Sequence, residues 1–177
     1  MALPATIYKA TITLSDIDRG LYATLTATVA QHPSETEERL VARLLAYALF
    51  YEEGLSFTKG LCASDEPEIW LKGGDGRVQS WVEVGLPDSE RIIKASRHSG
   101  QVRLLACGRA LPNWEQQHLP KLARLANLTI VTIDQTFLAA AVQRLERSLV
   151  WSVTITEGAC YLTIGDETLE TVLQTVG

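Results

Sequence analysis

Two stretches of strict alternation open the chain. Leu21, Ala23, Leu25, Ala27 and Val29 fall on one side of a strand over 21–31, and Tyr22, Thr24, Thr26 and Thr28 fall on the other. Thr6–Leu14 is the strand before it, across a turn at Ser15–Gly20 where Asp16 and Asp18 serve turn chemistry. The period then lengthens to that of a helix. Leu40, Val41, Leu44, Leu45, Ala48 and Leu49 make one apolar face, Ser34 and Glu37 sit as a capping box, and Gly54 stops the helix. Glu38 borders the apolar stripe, and Glu35 and Arg39 form an i,i+4 pair near Arg43.

The middle of the chain reads as a hairpin followed by a helix. Glu68–Lys72 and Arg77–Val84 are its arms, and Gly73-Gly74-Asp75-Gly76 is its turn. With those four residues as the loop, Lys72 faces Arg77 and Glu68 faces Trp81. Glu68 and Glu83 are then diagonal neighbours on one face, about 7–8 Å apart. A slip of one residue would send them to opposite faces. Asp88 caps a helix that runs to His98, with Gly100 beyond it. Further on, the pattern predicts a strand over 102–107, a helix over 110–127 broken at Pro120 with Asn127 as C-cap, and a strand over 128–133. A helix over 135–146, a hairpin of 149–156 with 161–164, and a last strand over 170–174 complete the chain.

This succession is that of a mixed α/β protein, a compact single domain with a mixed sheet flanked by helices. The length of 177 residues, with 46% hydrophobic and 21% charged residues, suits one such domain over 1–177. Met1–Pro4 leads straight into a strand pattern without an apolar leader, and no apolar run reaches a membrane span, so a cytoplasmic protein away from membranes is expected. Cys62, Cys107 and Cys160 are widely spaced and show no zinc pattern, which reads as reduced thiols. The net charge of −5 argues against indiscriminate nucleic-acid binding and leaves room for a local basic patch.

The chemistry concentrates between Asp65 and Lys94. Two carboxylates held on one face, Glu68 and Glu83, repel unless a cation lies between them, and a hard ion such as Mg²⁺ meets them with oxygen ligands. Arg91, Lys94 and His98 share a face of the next helix and suit a phosphate beside that ion. Trp70 and Trp81 either stack bases or pack the sheet. Nucleophile elbow, phosphate loop, dinucleotide fingerprint and HExxH are all absent, and His32, His98 and His118 are scattered.

Four blocks carry a resemblance. ALPATIYKATI at 2–12, HPSETEERLVARLLA at 32–46, FTKGLCASDEPEIW at 57–70 and WVEVGLPDSERIIKA at 81–95 resemble the YaeQ family of small bacterial proteins, and the likeness spans nearly the whole chain. That resemblance implies a variant of the PD-(D/E)xK nuclease core with added N-terminal and C-terminal β-hairpins. Pro67-Glu68 then stands for the "PD", Glu83-Val84-Gly85 for the "(D/E)xK", and Glu38 or Glu35 for the helix glutamate. Gly85 occupies the lysine position, and Lys94 one helix later is the residue able to replace it. On this reading Glu68, Glu83, the Val84 carbonyl and Glu38 hold Mg²⁺ or Mn²⁺, with Glu35 and Asp65 as additional ligands. Arg91, Arg97, His98 and Arg39 hold nucleic-acid phosphates. The implied activity is metal-dependent phosphodiester hydrolysis. The alternatives are a nucleic-acid-binding module without turnover and a regulatory protein that binds a protein partner.

Overall fold

The structure is a computed structural model that describes residues 3–58 and 66–176. These residues form a mixed α/β protein with two mixed sheets and four helices. They cluster into two compact units: 1–49 with 133–173, and 50–132 with 174–177.

The first unit is built on a five-stranded sheet. β1 (Thr6–Asp16) and β2 (Leu21–Gln31) pair antiparallel without a slip from Thr6 opposite Gln31 to Asp16 opposite Leu21. β8 (Ser148–Thr156), β9 (Ala159–Ile164) and β10 (Glu167–Val172) form a meander, and β8 joins β1 in parallel, giving the order β10-β9-β8-β1-β2. The two terminal hairpins expected from the sequence thus make a sheet of their own. Alternation decides its inner face: Ile12, Leu14, Leu25, Trp151, Val153 and Leu162 are at most 2% exposed. Helices α1 (Glu37–Leu49) and α4 (Gln135–Val142) belong to the same unit. Turn chemistry accounts for both aspartates: Asp16 binds Arg19 at 2.5 Å, and the Asp18 carboxylate accepts the N–H groups of Glu157 and Gly158 at 2.7 and 3.0 Å.

Several boundaries differ from the expectation. α1 is capped by Thr36, whose Oγ1 accepts the Arg39 N–H at 3.1 Å, while Ser34 is occupied with His32 Nδ1. α4 ends at Val142, because the Arg144 and Leu145 N–H groups bond Ala141 and Val142 in a tighter final turn. The last strand divides in two. Leu173 N–H bonds the Gly158 carbonyl at 2.8 Å, and the chain continues as β11 (Gln174–Val176) in the second unit.

The second unit carries a six-stranded sheet of order β11-β7-β6-β5-β4-β3. β3 (Ser56–Phe57), β4 (Ile69–Lys72) and β5 (Val78–Val84) are antiparallel neighbours; β5, β6 (Ser99–Ala106) and β7 (Leu128–Thr132) run parallel. Helix α2 (Ser89–His98) links β5 to β6, and α3 (Leu111–Leu122) links β6 to β7. Trp81, Ile92, Val102, Leu104, Trp114 and Ile130 form the core between this sheet and the two helices. Trp114 donates to the Pro87 carbonyl at 2.6 Å, and His118 Nδ1 accepts the Ser89 N–H at 3.3 Å, so α3 pins the start of α2. α3 ends at Leu122, short of Asn127. The Asn127 amide bonds the Ser96, Ser99 and Gly100 carbonyls instead, tying the α2–β6 junction.

Candidate functional site

The β4–β5 hairpin brings the two expected acids together by a different register. Gly73 N–H bonds the Arg77 carbonyl at 2.8 Å, which makes the loop three residues long and shifts the pairing by one. A bulge beside Leu71 and Lys72 then shifts it by one more, so that Trp70 faces Trp81 and Ile69 faces Val82. Two odd shifts restore the parity of the faces. Pairing runs as far as Ile69 opposite Val82; Glu68 precedes β4, its N–H bonds the Val82 carbonyl at 3.1 Å, and it lies near enough for its charge to act on the Glu83 carboxyl. β3 braces the approach: Thr58 N–H donates to the Glu68 carbonyl at 3.1 Å and Thr58 Oγ1 to the Pro67 carbonyl at 2.5 Å.

Both acids are buried, Glu68 at 5% and Glu83 at 3% exposure. Glu83 Oε1 accepts the Trp81 indole N–H at 2.9 Å and Arg91 Nε at 2.8 Å. Arg91 also donates to the Glu66 carbonyl at 2.7 Å and lies 5.9 Å from the Trp81 ring centre. Burial pushes the Glu83 carboxyl above its ordinary value. The Arg91 charge and the hydrogen bonds from Trp81 and Arg91 oppose that rise, and the Glu68 charge adds to it. Arg91, expected to hold a phosphate, is therefore first a counter-ion to Glu83.

Gly85 has φ of +91° and donates its N–H to the Leu105 carbonyl at 3.0 Å. A lysine there would be strained by its Cβ. The backbone itself explains why the strand carries no lysine at that position. Val84, the expected carbonyl donor, is buried and pairs with Leu105. Lys94 is exposed and lines a cleft of about 430 Å³ together with Glu66, Trp70, Lys72, Arg91 and His98. Lys72 Nζ lies 4.0 Å above the Trp70 ring. A second cleft of about 550 Å³ shares Val78 and His98 with the first and adds Arg77 and Arg97. The two clefts make one basic groove along α2. The sequence reading missed Lys72 and Arg77; Lys72 was legible two residues after Trp70, on the same strand face.

The other candidates lie in the first unit or outside the described residues. Glu35, named as an additional metal ligand, has its carboxylate engaged by arginines. It is buried, and its two oxygens bind Arg39 at 2.8 Å and Arg43 at 2.7 Å. Arg39, expected to meet phosphate, has this carboxylate as partner. Glu38 Oε1 accepts from the Gln135 amide. Asp65 lies outside the described residues. Among the described residues no three His, Cys, Asp or Glu side chains gather into a metal cluster. The neighbouring carboxylates Glu68 and Glu83 nonetheless offer the donor type that Mg²⁺ or Mn²⁺ takes, an ion that draws the rest of its shell from water and substrate.

Set beside known proteins, the chain as a whole has clear relatives. The YaeQ protein family model matches residues 1–173, and the chain belongs to the YaeQ family. YaeQ of Salmonella typhi is 43% identical over 171 residues, covering 96% of this chain and 94% of that one, and YaeQ of Escherichia coli is 42% identical over the same length. The crystal structure of YaeQ from Pseudomonas syringae superposes with a TM-score of 0.93 at 41% identity, covering 99% of this chain and 98% of that one. YaeQ from Xanthomonas axonopodis pv. citri superposes at 0.92 with 34% identity, covering 97% of each chain. No helix among the described residues is long and apolar enough to cross a membrane.

Proposed function

We propose that the second unit binds nucleic-acid phosphodiesters along the α2 groove and hydrolyses them with a divalent metal at Glu68 and Glu83, in the manner of a PD-(D/E)xK nuclease core. One observation carries this reading. In a chain of net charge −5, Lys72, Arg77, Arg91, Lys94 and Arg97 outnumber Glu66 and Asp75 along two clefts that share Val78 and His98, and Trp81 and Arg91 of the first cleft bond the buried Glu83. Clustered cations against an acidic background are an electrostatic footprint for phosphate. Glu68 and Glu83 would hold Mg²⁺ or Mn²⁺, with the Val84 carbonyl as a further oxygen donor. The ion would supply Lewis acidity toward a phosphate oxygen. Arg91 favours the ionised form of Glu83 against its burial and fixes its orientation. Lys94 meets charge developing on the phosphate, the part that a strand lysine plays in the nuclease core. Arg97 and His98 hold the neighbouring phosphate.

A second reading, binding without turnover, is favoured by the Arg91–Glu83 bond and by the glycine at position 85. One experiment separates the two. Labelled single- and double-stranded DNA and RNA are incubated with Mn²⁺, Mg²⁺ or chelator, and binding is followed in parallel by fluorescence anisotropy. Hydrolysis predicts metal-dependent cleavage that Glu83→Gln, Glu68→Gln and Lys94→Ala each abolish. Binding alone predicts no cleavage and affinity that Arg77→Ala and Arg97→Ala each weaken by about tenfold. Absence of both activities refutes the nucleic-acid reading.

A further inference from the structure

β2 is an edge of the five-stranded sheet, and its backbone geometry shows which groups face outward. Lys9 donates its N–H to the Arg147 carbonyl and Ile17 donates to Ile155, both at 2.8 Å. The odd-numbered positions of β1 therefore turn their backbone toward β8, and the even-numbered ones turn toward β2. Given Thr6 opposite Gln31, the odd positions of β2 complete that ladder. Tyr22, Thr24, Thr26, Thr28 and Ala30 then point N–H and C=O away from the sheet. The Ala30 carbonyl is met by Arg43 Nη2 at 2.9 Å. Among the described residues, the outward groups of the other four have no recorded backbone partner.

Natural edge strands are blunted by charge, proline, bulges or shortness. β2 has 11 residues, LYATLTATVAQ, with no charge, no proline and no glycine, and no bulge interrupts its pairing with β1. Its inward-pointing Ala23 and Ala27 are only half-buried, as at an open margin. The opposite edge, β10, has 6 residues and carries Glu167 and Glu170.

We infer that β2 pairs with β2 of a second copy of this chain, antiparallel across a twofold axis, to make a continuous ten-stranded sheet. Arg43 ends the free ladder at Ala30 and so selects the register. Tyr22 lies opposite Thr28 and Thr24 opposite Thr26, with the axis at Leu25. This register uses the outward N–H and C=O of all four residues, in about eight ladder bonds. Thr24 and Thr26 meet on the open face as a favourable cross-strand pair. A second copy suits the edge because an uncharged strand brings no like charges together, in a chain whose net charge of −5 opposes most self-contacts. About eight ladder bonds between two edges make a small interface, so the dimer is sought at protein concentrations up to the high micromolar range.

Sedimentation equilibrium of the full chain from about 1 to 200 μM tests the inference. Wild type is expected to dimerise over that range. Thr26→Pro removes one outward N–H, and Thr26→Lys sets a charge beside the axis at an exposed position; each is expected to weaken the dimer by about tenfold or more. Val150→Lys adds the same charge two strands inward, at a residue 68% exposed, and is expected to leave the dimer intact. Thermal unfolding of each variant checks its fold, and Thr26→Lys decides the matter if Thr26→Pro fails to fold. A wild type that stays monomeric over that range overturns the inference. A dimer that survives both Thr26 changes overturns it equally.

Discussion

Replacing Arg91 with methionine isolates the charge that supports Glu83. The change keeps most of the aliphatic stem against Trp81 and removes the guanidinium. The Glu83 side chain is 4% exposed and that of Arg91 33%, so the pair is buried on one side and half-open on the other. Breaking a fully buried pair costs about 3–5 kcal/mol, and the partly solvated guanidinium reduces that to about 2–3 kcal/mol at neutral pH. The loss depends on pH in a defined direction. Burial raises the folded carboxyl above its ordinary 4.5, so ionised Glu83 opposes folding. That penalty is absent below pH 4.5 and grows as pH rises through the folded value. Arg91 offsets it, and without Arg91 the carboxyl rises further. Urea unfolding followed by tryptophan fluorescence should therefore give the full loss at pH 7.5. Toward pH 4.5 it should fall to about 1 kcal/mol, the value of the hydrogen bond to Glu66. Adding Glu83→Gln to the variant should recover about 1–2 kcal/mol at pH 7.5, since the uncompensated charge is gone. A loss that is equal at the two pH values, or no recovery in the double variant, refutes the reasoning.

Other consequences are equally direct. Glu35→Gln leaves Arg43, 7% exposed, beside a neutral partner, and should lower stability by about 3 kcal/mol in thermal or urea unfolding; a loss below about 1 kcal/mol would show that the buried pair is not needed. Gly100→Ala places a Cβ 2.9 Å from the backbone oxygen of Gln79, which cannot rotate away, and should cost about 1–3 kcal/mol by the same assay. Unchanged stability would mean that β5 and β6 part more easily than their pairing implies. Burial, and then the Asp16 charge, push the Cys160 thiol up to about 12, so almost no thiolate exists at pH 8. A disulfide reagent should label Cys160 only after denaturation, as read by peptide mass spectrometry, and labelling of the native protein would contradict that environment.

Much of the site was legible because local rules govern its parts. Glu68 and Glu83 come near each other because they lie toward the open ends of two hairpin arms that the glycine-rich turn closes. The register was less legible. It depends on a three-residue loop and a bulge whose one-residue shifts add to two and so keep the parity, and neither carries a distinctive residue pattern. The pairing of Glu35 with Arg39 was legible from its i,i+4 spacing and Arg43 was read near it, but the burial of that carboxylate was not. Only the fold of the helix entrance brings the carboxylate down onto both arginines.

The chain by itself determined its four helices and all of its strands but the short β3 and the division of the last one, since hydrophobic period and turn residues act over a few positions at a time. It also determined that acids and bases crowd the stretch from Glu66 to His98. Tertiary structure alone decided what these residues face. The parallel pairing of β1 with β8 joins segments more than 130 residues apart and leaves β2 as an uncharged margin. The packing of α2 on its sheet sets Arg91 against Glu83 and aligns Lys94, Arg97 and His98 along a groove. Long-range pairing depends on the burial of whole faces at once, and no local window of sequence contains that sum.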